Sequence, residues 1–189
     1  VYKRQPLVCY GFSAGELWER SVATAVTLET LAEKHNATSN TGYTVGLLHS
    51  IGMVFVNKHL QEMKASQRFD LDGEPEVLEV EETTALGMTH AEVGAHVLER
   101  WKFPDNVCEP VRFQLKPLAC QSYGKSACLL NLAKDIGAGF VRSGYRKVEA
   151  PEPDQLVLAL LGGTNESYEK VMEKVSSKLA MIDVLLQEL

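Results

Sequence analysis

The chain reads as an all-α fold. Three observations predict this: apolar residues recur at three- and four-residue steps, two capping-box signatures open such stretches, and no segment sustains the alternation of a strand. Its 189 residues suit one domain, or one domain with a helical appendage, and are enough to bury a core. Hydrophobic content is 45%, no apolar run approaches the ~20 residues that span a bilayer, and no signal-like stretch opens the chain. These features predict a soluble, cytoplasmic protein without a membrane partner.

The elements follow in order. Ser13-x-x-Glu16 is a capping box for a first helix, in which Trp18, Val22, Ala25, Leu28 and Ala32 share a face until His35-Asn36 ends it. A second helix is expected from about Thr41 through His49. Gly52 follows, and Met53, Val54, Val56 and Leu60 carry helical spacing on to about Lys64. Asp72-Gly73-Glu74-Pro75 marks a loop over 65–76. A short helix over 77–86 is closed by Gly87. Thr89-x-x-Glu92 is the second capping box, with Val93, Val97 and Leu98 on one face up to Trp101.

Pro104-Asp105 opens another helix containing Val107, Val111 and Leu115. Residues 122–141 read as a long buried helix with Leu129, Leu130, Leu132, Ala133, Ile136 and Phe140. After the Pro151 and Pro153 linker come a short helix over 156–161 and a Gly162-Gly163 break. The last helix, 165–189, carries Tyr168, Met172, Val175, Leu179, Ile182, Leu186 and Leu189 at alternating steps of four and three. Such a stripe packs on the body of its own domain or forms a homodimer or linker coiled coil.

Composition excludes some functions. A net charge of −6 argues against nucleic-acid binding, which needs clustered Lys and Arg to neutralise phosphates. Cys9, Cys108, Cys120 and Cys128 form no C-x-x-C pair and are expected as reduced thiols. Val1-Tyr2-Lys3-Arg4-Gln5 is what GTG TAT AAG AGA CAG encodes, the pattern of a transposon-library adapter, so residues 1–5 are set aside from the fold and a longer natural N-terminus is expected.

Several phrases stand in a telling order: Leu17-Trp18-x-x-Ser21, Gly46-Leu47-Leu48-His49-x-Ile51-Gly52, Glu82, Thr89-His90-Ala91-Glu92-Val93-Gly94-Ala95, and Trp101-x-x-Pro104. Over roughly residues 16–145 this set resembles the HDOD family, a degenerate branch of the HD phosphohydrolase superfamily. The resemblance implies an HD-like multi-helix bundle with a long C-terminal helix. It divides the chain into a core over 6–148 and a C-terminal extension over 149–189 packed on it. Such proteins usually carry further helices before the Leu-Trp phrase, so their loss is expected to expose an apolar surface.

Catalytic members of that superfamily hold a divalent metal with histidines and carboxylates, because the ion generates the nucleophile and offsets phosphoester charge. Set against that pattern, Arg20 stands at the first histidine, His49-Ser50 at the His-Asp pair, and His90 at the next histidine. Gln114 lies where some relatives pair histidines, and Lys134 replaces the final aspartate. Arg20 and Lys134 would repel a divalent cation by several kcal/mol (order of magnitude) at intermediate dielectric. Asp135, one step further along a helix, turns about 100° away and is expected to face elsewhere. His49 and His90 are then read as buried histidines held by backbone or neighbouring side chains. His96 falls on a different face from His90, and His59 reads as exposed.

The resemblance therefore implies a non-catalytic bacterial signal-transduction module with no cofactor and no catalytic residues, acting through a protein partner or a fused signalling domain. The alternative is a metal-dependent phosphohydrolase acting on a nucleotide or cyclic dinucleotide, using His49 and His90 with a carboxylate such as Glu82 or Glu92.

Overall fold

Every regular element of the computed structural model is helical; it describes residues 6–33, 41–71, 75–144, 155–160 and 164–187, with no strand among them. The helices are α1 (Glu16–Glu33), α2 (Gly42–Leu48), α3 (Ile51–Glu62), α4 (Pro75–Leu86), α5 (His90–Arg100), α6 (Asp105–Arg112), α7 (Gly124–Arg142), α8 (Gln155–Leu160) and α9 (Asn165–Gln187). The expected helix end at His35-Asn36, the 72–74 turn, the Pro151 and Pro153 linker, the Gly162-Gly163 break and residues 1–5 lie outside the described residues. Among the described residues no helix is long and apolar enough to cross a membrane.

Two helix starts follow the capping signatures of the sequence, one fully and one in part, while α2, α3, α6 and α7 begin without a side-chain cap. The Thr89 box is complete: its hydroxyl accepts from the Glu92 amide while the Glu92 carboxylate accepts from the Thr89 amide at 2.8 Å. The Ser13 box is half made, because the Glu16 carboxylate takes both the Ser13 amide and hydroxyl, and the Ser13 carbonyl rather than its side chain receives the Glu16 amide. Gly87 closes α4 in the left-handed region at φ 78°. Some boundaries differ from the pattern-based expectation: α4 begins at Pro75, inside the stretch expected as a loop, and α6 ends at Arg112, so Leu115 sits in the following turn and not on the helix.

The main core gathers Leu28 and Leu31 of α1, Leu98 of α5, Val107 and Val111 of α6, and Leu129, Leu130, Ile136 and Phe140 of α7. Tyr168, Met172, Val175 and Leu179 of α9 are buried in the same core, so this part of the heptad stripe packs on its own domain. Lys174 and Lys178 pair with Glu33 across the α1–α9 edge. The side chains of Ile182, Leu186 and Leu189 lie outside the described set. A second core joins Leu7, Tyr10 and Phe12 of the N-terminal turn to Met53, Val56 and Leu60 of α3, with Phe69 and Leu78. The N-terminal segment is fastened there by the Cys9 amide donating to Asn57 Oδ1 and by the Phe69 amide donating to the Cys9 carbonyl. None of the four cysteines forms a disulfide; Cys9, Cys108 and Cys120 are buried.

Two helix crossings depend on the absence of a side chain. A methyl carbon at Gly52 would lie 1.9 Å from the His90 carbonyl oxygen and 2.6 Å from the Gly94 amide nitrogen, so α3 and α5 touch backbone to backbone. At Gly46 it would lie 2.5 Å from the Ala25 Cα, which brings α2 equally close to α1. Gly52→Ala is therefore expected to destabilise the fold by about 3 kcal/mol or more, because the obstructing atoms are main chain and cannot rotate away. Gly124→Ala, with nothing nearer than 3.9 Å, should stay within about 0.5 kcal/mol. Urea unfolding of the two variants distinguishes them; equal midpoints would refute the close crossing.

Candidate functional site

Glu82 organises the site. It is fully buried on α4, and its carboxylate accepts three hydrogen bonds: the Tyr10 hydroxyl at 2.6 Å, the His90 amide at 2.9 Å and His90 Nδ1 at 2.9 Å. Burial alone would raise its pKa, but the His90 bond and charge, the Tyr10 hydroxyl and the His90 amide more than offset that and hold the carboxyl below its ordinary range. The same surroundings push the Tyr10 phenol well up, first by burial and then by the Glu82 charge, so its proton stays on oxygen. With Nδ1 committed to Glu82, the Nε2 of the fully buried His90 has no hydrogen-bond partner.

His49 ends α2 and is tied differently. Its Nδ1 donates to the Gly46 carbonyl at 2.6 Å, which fixes the tautomer and leaves Nε2 as an acceptor. Burial first, then repulsion from Lys134, pull its pKa down to about 3, so it is neutral at physiological pH. Beside it, Ser50 shares a 2.7 Å hydrogen bond with Ser21 of α1.

Beside the second core lies a cavity of about 670 Å³. Arg20, His49, Ser50, His90 and Lys134 all line it, so the fold brings together five of the six positions singled out in the sequence. Gln114 does not line it. That side chain is fully buried behind the site, where Nε2 donates to the His49 carbonyl at 2.8 Å and to the Val111 carbonyl, bracing the α2–α3 junction against α6. Asp135 also lines the cavity, against the expectation that it faces elsewhere; a 100° step is not enough to leave so wide a cavity. Its carboxyl is raised by burial, with Lys134 and Arg142 acting in opposition. Lys134 is pulled down to about 8, mainly by burial, with Asp135 and Glu82 opposing.

His96 and His59 are exposed, and His96 pairs with Glu99 on the surface. Glu92 serves the α5 cap and takes no part in the cavity. Tyr10, Thr24, Asn131 and Arg142 are not singled out as site residues in the sequence: Tyr10 lies before the first recognised phrase, and the others share α1 and α7 with Arg20 and Lys134, which stand at the expected ligand positions.

A divalent metal does not fit this lining. Such an ion needs several converging lone-pair donors, and the cavity offers two imidazole nitrogens, a serine hydroxyl already bonded to Ser21, and one carboxylate, Asp135, which feels the charges of Lys134 and Arg142, with Arg20 a third cation in the lining. The nearest carboxylate to His90, Glu82, spends its oxygens on His90 and Tyr10. Among the described residues no group of three His, Cys, Asp or Glu side chains is arranged to hold a metal.

An all-α bundle with histidines at the α2–α3 junction and at the start of α5, facing one cavity, is an HD-like helical domain. The chain belongs to the HDOD domain family, whose model matches residues 1–117. Among solved structures it is similar to a signal transduction protein, provisionally so named, from Marinobacter aquaeolei (23% identity, TM-score 0.65, 97% of this chain and 39% of that one). It is also similar to a provisionally named phosphohydrolase from Shewanella amazonensis (24%, 0.59, 91% and 61%) and to the MmoQ response regulator from Methylococcus capsulatus (21%, 0.57, 87% and 62%). The chain thus spans about six tenths, or less, of these structures' lengths, and the likeness shows the fold. No curated protein matches it.

The tautomer and depressed basicity of His49 have a measurable consequence. Between pH 6.5 and about 3 the unfolded chain binds a proton at this site that the folded chain refuses, so stability falls as pH drops through that window. The contribution is about 1.4 kcal/mol per pH unit. In His49→Asn the urea-midpoint profile should be shallower over that range by one proton; parallel profiles for variant and wild type would contradict the assignment.

Proposed function

We propose that this chain is a non-catalytic regulatory module of a signalling protein, acting through contacts with a protein partner or a fused domain. One observation carries the reading: the cavity that in a metal-dependent relative would gather carboxylates instead presents Arg20, Ser50 and Lys134, while the helix crossings that shape it are kept. Charge of that sign disfavours a divalent cation, and without the ion no metal-activated water is generated. Family membership supports the reading, and so do the signalling names of two structural neighbours, the response regulator among them. The phosphohydrolase name of another neighbour keeps hydrolysis as the alternative to be tested.

The long C-terminal helix gives the module a means of passing a change along the chain. Through Leu179 its apolar stripe is occupied by the domain's own core, so a partner or a second copy would meet the helix on its outer face or further along. A cytoplasmic setting belongs to the same proposal.

The test is direct. Purified protein supplied with Mn²⁺, Fe²⁺ or Zn²⁺ is expected to show no phosphodiester turnover above a His90→Ala control, and affinity capture from cells expressing the parent protein is expected to return a specific partner. Metal-dependent turnover abolished by His90→Ala would replace this reading with the hydrolase.

A further inference from the structure

Although the chain carries a net charge of −6, three of its cations, Arg20, Lys134 and Arg142, line one cavity, against the single lining carboxylate of Asp135. Arg20 is held by Glu16 at 2.9 Å and lies over the Phe12 ring, an arrangement that leaves its buried Nε without a hydrogen-bond partner. Lys134 feels Asp135 and Glu82 electrostatically, yet makes no hydrogen bond or ion pair among the described residues. Its charge is close enough to depress the basicity of His49. A buried donor and a cation left in this condition are polar capacity that the fold itself does not use.

The histidines add two more hydrogen-bonding atoms. His90 is fully buried, its Nδ1 is spent on Glu82, and its Nε2 is unpartnered in the cavity wall. His49 spends Nδ1 on Gly46 and so also offers Nε2. Met53, Leu78 and Leu115 supply apolar wall beside them. A volume of about 670 Å³ falls in the ordinary range for small-molecule sites.

We propose that this cavity binds a small phosphorylated, hydroxyl-bearing metabolite without hydrolysing it, Lys134 and Arg20 holding the phosphate and the Nε2 atoms of His49 and His90 hydrogen-bonding the ligand's hydroxyls. A free inorganic phosphate shares the first half of that chemistry and lacks the second. The proposal deepens the regulatory reading, on which it rests for the absence of turnover: occupancy of the cavity is the input that the module reports to its partner.

The experiment is calorimetric titration of the full 189-residue chain, in the presence of EDTA, with inorganic phosphate and with ribose 5-phosphate. Ribose 5-phosphate is expected to bind, and to bind more tightly than phosphate. Lys134→Gln should weaken it by about tenfold or more, the loss of one charged hydrogen bond, while Lys134→Arg retains it. Circular dichroism establishes that each variant is folded. Should Lys134→Gln fail to fold, the imidazole ¹⁵N spectrum of the wild type carries the test, with Nε2 of both His49 and His90 shifting on ribose 5-phosphate addition. No binding of either probe, equal affinity in folded Lys134→Gln, or unmoved histidine signals would overturn the site. Phosphorus NMR of the same mixture separates the two ideas: ribose 5-phosphate recovered intact agrees with both, whereas released phosphate sinks the non-catalytic reading and leaves the binding site standing.

Discussion

A single buried carboxylate joins three parts of this domain that are distant in sequence. Glu82 takes the hydroxyl of Tyr10 from the N-terminal turn and both the amide and the imidazole of His90 at the start of α5. An ionised group with no exposure would be costly alone; with its lone pairs filled by three donors it becomes a fixed corner. Val77 and Val80 of α4 are exposed, and Leu78, Leu86 and Glu82 anchor the helix from its inner face. The consequence for the cavity is that, with Nδ1 claimed by Glu82, His90 lines the space shared with His49 and Lys134 with its Nε2 buried and unpartnered.

The cavity owes its shape to main-chain packing and its chemistry to a few side chains, and the two are separable. Gly52 and Gly46 let α3 meet α5 and α2 meet α1 at backbone distance, which fixes where His90, His49 and Ser50 sit whatever their neighbours are. Arg20 on α1 and Lys134 on α7 are then free to set the sign of the cavity. A scaffold of this kind can carry cations and hydroxyls in place of a metal's lone-pair donors without losing its form.

Much of this was legible in the sequence, and the reasons differ by residue. Helix identities followed from the 3.6-residue spacing and the Thr89 cap, both local signals. The importance of Gly52 and Gly94 was visible because they sit at fixed offsets within recognisable phrases. Glu82 was recognised as part of the pattern, but its partnership with Tyr10 spans 72 positions and no local rule connects them. Leu115 carried helical spacing past the point where α6 ends at Arg112, so periodicity overran the element. Asp135 was judged by rotation about a helix axis when the width of the cavity decided the matter. Gln114 was expected at the site and instead supports it from behind, through a bond to the His49 carbonyl that depends on tertiary packing.

The account stands on the claim that the cavity of this HDOD chain is arranged for anions and refuses a divalent cation. Titrating the ¹⁵N-labelled protein with Mn²⁺ while observing the histidine imidazoles tests this most directly, because a paramagnetic ion broadens any nitrogen it touches. The Nε2 signals of His49 and His90 are predicted to stay sharp at stoichiometric Mn²⁺. Selective broadening of that pair, with exposed His59 and His96 unaffected, would contradict the account.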